Sequence, residues 1–108
     1  MTQATGNVIV APNVLMSLVT MALREVPGVA RPGVVPRARA SYRGDGVAIR
    51  RDGDGVYVDC YLVAQADTNL LELGMAAQAT VAAVVRELAG MDVREVNIYI
   101  QDVEASNG

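Results

Sequence analysis

From Asn69 to Met91 the chain reads NLLELGMAAQATVAAVVRELAGM, with Leu70, Leu73, Ala77, Val81, Val84 and Leu88 recurring every three or four residues. That spacing places them on one face of a 3.6-residue helix. Asn69 can accept from the free N–H groups of the first turn, and Glu72 three residues on completes a capping-box sequence. Gly90 suits a left-handed stop. On the opposite face, Met75, Ala79, Thr80, Ala82 and Ala83 carry no charge, where a solvated helix normally would. The pattern predicts a helix covered on two sides.

A second helical stripe, Val14, Leu15, Leu18, Met21, Ala22 and Val26, follows Pro12, whose missing N–H costs nothing in a first turn, and Pro27-Gly28 closes it. This assignment turns Met16, Val19 and Leu23 outward. Alternation predicts strands at Gly6–Val10, Val47–Arg51, Val56–Ala64 and Val93–Val103. Asp52-Gly53-Asp54-Gly55 joins the middle two as a hairpin. In Val56–Ala64, Val56, Val58, Cys60, Leu62 and Ala64 face one way, and Tyr57, Asp59, Tyr61 and Val63 the other. Residues 27–44, with three Pro, three Gly and four Arg, read as a loop. The expected fold is one α+β domain over residues 1–108, with tails 1–5 and 104–108 frayed. Its order is β-α-β-β-α-β, a two-layer sandwich of two helices on one face of a mainly antiparallel sheet. The second helix should make a right-handed parallel crossover, and a ferredoxin-like strand order is the first expectation.

Composition narrows the chemistry. Hydrophobic residues make up 52% of the chain, yet its only aromatics are four Tyr, so Val, Leu, Ile and Ala must build the core. There is no His, which removes the commonest general base and metal ligand. The single Cys60 can form no internal disulfide, and on an inward strand position it reads as an inert buried thiol. The opening MTQATGN lacks a secretion pattern, and no apolar run reaches the length of a spanning helix. The expectation is a cytoplasmic protein without direct membrane insertion. Asp52, Asp54 and Asp59 read as turn and surface residues, since no Glu follows at calcium-loop spacing. Neither Gly44-x-Gly46 nor Gly53-x-Gly55 opens a helix as a dinucleotide loop does. No catalytic, cofactor-binding or metal-ligating residue is assigned.

Charge is unevenly spread. From Arg24 to Arg51 there are seven Arg against Glu25 and Asp45, while the remainder holds two Arg against ten acids. Arg31, Arg37, Arg39, Arg43, Arg50 and Arg51 are therefore a candidate anion-binding patch for nucleic acid or an anionic surface. The bland alternative is a solvated loop balanced by the acidic remainder. Outward Tyr57, Tyr61 and Tyr99 invite comparison with RNA-recognition motifs, but the Arg/Lys-Gly-aromatic run is missing and the first strand has no aromatic. Nucleic acid is disfavoured as a partner.

Several motifs in order resemble the alkaline shock protein 23 family of bacterial envelope stress response proteins. They are Gly6-x-Val8-x-Val10-Ala11-Pro12, Glu25-Val26-Pro27-Gly28-Val29, Val58 with Tyr61, and Asn69-x-x-Glu72-Leu73 with Gln78, Val81, Val85 and Gly90. Val93-x-x-Val96-Asn97-Ile98 completes the set. The resemblance implies a non-enzymatic, cofactor-free stress response protein that gathers at the membrane through a membrane-anchored protein partner. The chain departs from the family pattern at Ala11, where Ser is usual, and in its short Arg-rich loop. It also departs at Met16, Ser17, Met75, Ala79, Ala82 and Ala83, where Lys and Glu are usual. From the residues themselves, the uncharged outer helix faces predict a homo-oligomer, with Met16, Val19, Leu23, Met75, Ala79, Ala82 and Ala83 as the candidate self-association face. The alternative function is a small module that binds nucleic acid or anionic surfaces through residues 24–51.

Overall fold

In a computed structural model, residues 4–36 and 42–105 are described. Helix α2 spans Leu70–Leu88. Asn69 Oδ1 accepts from the Glu72 backbone N–H at 3.0 Å, and the chain leaves the helix through Gly90 at φ +66°. Its buried face is Leu73, Ala77, Val81 and Val85, one residue every four. Leu70 and Leu88 are exposed because they are the terminal helical residues, where the cover of the layer beneath runs out.

Helix α1 (Pro12–Glu25) forms where expected but is rotated from the expected face. Val19 and Leu23, read as outward, are core residues with 0% and 4% exposure, in line with Leu15 and Val26. Met21, read as inward, is 62% exposed. Asn13, Ser17, Thr20 and Arg24 form the polar face of the helix, and Val14 and Met21 lie at the border of that face, whereas Leu15, Val19 and Leu23 lie opposite it. Contact with the sheet and with α2 covers that opposite side.

The predicted strand at Gly6–Val10 is absent; the segment is irregular, and Val8 and Ile9 are 96% and 87% exposed. The place beside β3 is held instead by a strand from the expected loop. Residues 27–44 contribute two short strands, β1 (Val29–Pro32) and β2 (Tyr42–Gly44). Proline fits in β1 because it is the last residue of a short strand. Then come β3 (Val47–Asp52) and β4 (Gly55–Gln65), joined through Gly53-Asp54 with Gly53 at φ +60°, as a two-residue hairpin turn demands. The last strand, β5, runs Asp92–Glu104, so Glu104 is ordered rather than frayed; its carbonyl accepts from Ala66 N–H at 2.8 Å.

β4 is the spine of the sheet. One of its edges pairs antiparallel with β3 over Gly55–Cys60 and with β1 over Leu62–Ala64. Its other edge pairs parallel with β5 along its whole length. β2 flanks β3. The direct β4–α2–β5 crossover excludes a ferredoxin-like order, in which another strand would separate the two parallel ones. Both helices cover one face: α1 lies on β1, β2, β3 and α2, and α2 on β5. The inward residues of β3 and β4, from Val47 and Ile49 to Leu62 and Ala64, meet Leu15, Val19, Leu23, Leu73, Ala77, Val81 and Val85 in one core. The result is an α+β two-layer arrangement, mainly antiparallel.

Candidate functional site

The outer sheet face follows from strand alternation. Tyr61 and Tyr99, directly opposite on β4 and β5, stack with ring centroids 4.8 Å apart. Asn97 Nδ2 donates to Asp59 Oδ1 at 3.0 Å, and the Arg50 guanidinium lies 4.3 Å from the Tyr57 ring centroid. Burial, then the Asp59 charge, holds the Tyr61 phenol above its ordinary pKa. These groups are paired with one another.

A segment of the expected loop crosses this face. Gln101 clamps it by accepting from Val34 N–H and donating to Val34 O, both at 2.8 Å. Arg43 donates to Val35 O at 3.0 Å. The chain enters and leaves through a notch in the β4 edge, where Gly33 N–H donates to Tyr61 O and Tyr61 N–H to Gly46 O, both at 2.7 Å. Gly46, at φ +68°, would place a Cβ 2.7 Å from Tyr61 O, so only glycine fits. Alternation locates the Tyr residues; nothing in the sequence signals the Gln101 clamp, which depends on the register of β1 and β5.

Among the described residues the arginines have different neighbours. Arg31 pairs with Glu104 at 2.9 Å, Arg43 serves the Val35 carbonyl and Arg50 rests on Tyr57. Arg51 borders a different feature, an apolar cavity of about 240 Å³ under Val8 and Ile9, between Leu15, Ile49, Val56 and Met91. Arg37 and Arg39 lie outside the described residues. Among the described residues no group of three His, Cys, Asp or Glu gathers at metal-binding distance. Burial pushes the Cys60 thiol up to about 12, with Asp59 adding to the effect, so it is a poor nucleophile and ligand.

The candidate self-association face is divided. Val19 and Leu23 are in the core, and Met16 covers Gly44 of β2, its sulfur 3.5 Å from where a Cβ would stand. Ala83 is half-buried. Met75, Ala79 and Ala82 stay together. With Gln78 and Arg86 they wall a groove whose other side is Val93, Arg94, Glu95 and Val96 of β5. Met75 is 59% exposed and Ala79 is exposed, while Ala82 is half-buried. Gln78 Nε2 donates to Val96 O at 3.2 Å. Among the described residues β5 pairs only with β4, so this groove runs along an open sheet edge.

A sequence model of the alkaline shock protein 23 family, with cell envelope-related function, matches residues 1–105. YloU of Bacillus subtilis, an uncharacterized protein, is 32% identical over 62 residues, 57% of this chain and 52% of YloU. The chain thus matches about half the length of that relative. The uncharacterized YqhY of the same organism is 27% identical over 105 residues, 92% of this chain and 78% of YqhY. Among solved structures, a MamM CTD aligns with TM-score 0.62 at 16% identity over 89% of this chain and 100% of that one. A copper form of MamM CTD gives 0.62 at 15% identity, over 90% and 100%. At such identity the likeness is one of fold alone. No helix of the described residues is long and apolar enough to cross a membrane.

Proposed function

We propose, from the premise that this chain belongs to the alkaline shock protein 23 family of cell envelope-related function, that it is a non-enzymatic, self-associating interaction protein that supports the envelope. The observation that carries this reading is the uncharged stripe Met75, Ala79 and Ala82 on α2, lying beside an open strand edge. A solvated helix turn normally bears charge there, and small Ala with adaptable Met suits close approach of another helix. The retained part of the self-association face is thus Met75, Ala79 and Ala82, with Ala83 at its margin. A membrane-anchored protein partner would bring the assembly to the membrane from the cytoplasmic side. Of the arginines the nucleic-acid alternative would use, Arg31 is neutralised by Glu104.

Light scattering at micromolar concentration tests the first part: an oligomer is expected, and a clean monomer would remove the reading. Adding charge with Ala79→Glu and Ala82→Lys together should shift the oligomer towards monomer without unfolding it, since Ala79 is exposed and Ala82 half-buried. Affinity capture from separated membrane and cytosol fractions tests the second part. Recovery of nucleic acid rather than a membrane protein would overturn it.

A further inference from the structure

We infer that a second copy of this chain pairs antiparallel with β5 across a two-fold axis at Ile98, so that one sheet runs through both copies. The inference rests on self-association and specifies its geometry. β5 is the longest strand, 13 residues, and its outer edge carries no other described strand. Natural edge strands are blunted by short length, charge, Pro, bulges or cover, because an open edge offers unpaired N–H and C=O groups to any other chain. β5 has bulges at Arg94 and Gln101, and the regular stretch between them is unblunted. The middle of β5, Val96–Gln101 (VNIYIQ), has neither charge nor proline. Its charges stand only at the ends.

The arrangement of side chains selects the partner and the register. Val93, Val96, Ile98, Ile100 and Val103 align with the inward residues Val56, Val58, Cys60, Leu62 and Ala64 of β4. These five positions are symmetric about Ile98, despite the two bulges in the strand. In an antiparallel pair centred there, Val96 meets Ile100, Val93 meets Val103 and Ile98 meets its own copy. On the outer face Asn97 meets Tyr99 and Glu95 meets Gln101. Charge is complementary: Arg94 of each copy stands opposite Asp102 of the other. The end pair sets Asp92 against Glu104, but Arg94 already neutralises the first at 2.7 Å and Arg31 the second at 2.9 Å. Centring on Asn97 would set Ile100 against Arg94, and centring on Tyr99 would set Val96 against Asp102. A shift of one residue would oppose inward with outward positions. The two-fold also brings the Met75–Ala79–Ala82 stripes of two α2 helices towards each other above the joined strands.

Three exposed-site variants and one exchange measurement test this. In Arg94→Asp or Asp102→Arg, both symmetry-related pairs become like-charged, and the dimer dissociation constant should rise about tenfold or more. Combining the two restores opposite charges across the pair, and affinity should recover well above either single change, short of the unmodified chain because Asp92 then lacks its Arg94 partner. Circular dichroism will confirm that each variant keeps its fold. Residue-resolved amide exchange should show β5 amides protected at high protein concentration and exposed on dilution. A dimer whose β5 amides exchange independently of concentration, or whose charge-swapped variant stays as weak as either single change, overturns the inference and leaves self-association standing. A monomer at every concentration overturns both.

Discussion

Strands β4 and β5 lie side by side, parallel, and carry similar alternating runs of Val, Ile, Leu and Tyr. Yet eight of the eleven β4 residues are buried, whereas no β5 residue is. The difference is one of neighbours rather than composition. β4 has strands on both edges, helices on its inner face and the Gln101 clamp across its outer face. β5 has β4 on one edge and α2 leaning over from one side. Apolar content makes a strand; the number of its partners decides how much of it is hidden. What β5 leaves uncovered is where the proposed function resides.

The sharpest way to break the comparison is to truncate matched core-facing residues. Leu62→Ala in β4 should cost about 3 kcal/mol, because Leu62 is fully enclosed and leaves a cavity. Its register partner Ile100 is only partly buried, so Ile100→Ala at a concentration favouring monomer should cost roughly half as much. Urea unfolding followed by circular dichroism measures both, and equal losses would show that the two strands are equally covered.

pH distinguishes the strands next. The Cys60 thiol of β4 titrates at about 12 in the folded chain against an ordinary value of 9.0. Below pH 9 both folded and unfolded chains hold this proton, and the thiol adds no pH dependence. Between pH 9 and about 12 only the folded chain holds it, so stability falls by ~1.4 kcal/mol per pH unit. Comparison with Cys60→Ala isolates that slope; identical pH profiles would mean that the thiol is solvated.

A double-mutant cycle on Tyr61 and Tyr99 reports the contact between the two strands. A coupling of about 1 kcal/mol is expected for a stacked pair, with Tyr61→Ala the costlier single change because Tyr61 is buried and Tyr99 is 45% exposed. The smallest effect should come from the Arg31–Glu104 ion pair, whose side chains are each about half exposed. Arg31→Ala should change stability by no more than about 0.5 kcal/mol, and high salt should erase even that.

The sequence by itself determined the local structure: α2 from its cap to its glycine stop, the β3–β4 hairpin, and which residues of β4 face inward. Each depends on neighbours within a few positions, where periodicity and turn chemistry act directly. It also carried the family motifs and the uncharged Met75–Ala79–Ala82 stripe. The polar face of α1, Asn13, Ser17, Thr20 and Arg24, was also in the sequence and points Leu15, Val19 and Leu23 inward; tertiary structure decided only how far cover extends towards Val14 and Met21 at its border. It also decided that Gly6–Val10 stays out of the sheet while residues of the Arg-rich loop join it, since pairing depends on which distant segments meet. The β5 edge left open among the described residues and the Gln101 clamp belong with these. Both are set by pairings between residues far apart in the chain, on which local pattern has no purchase.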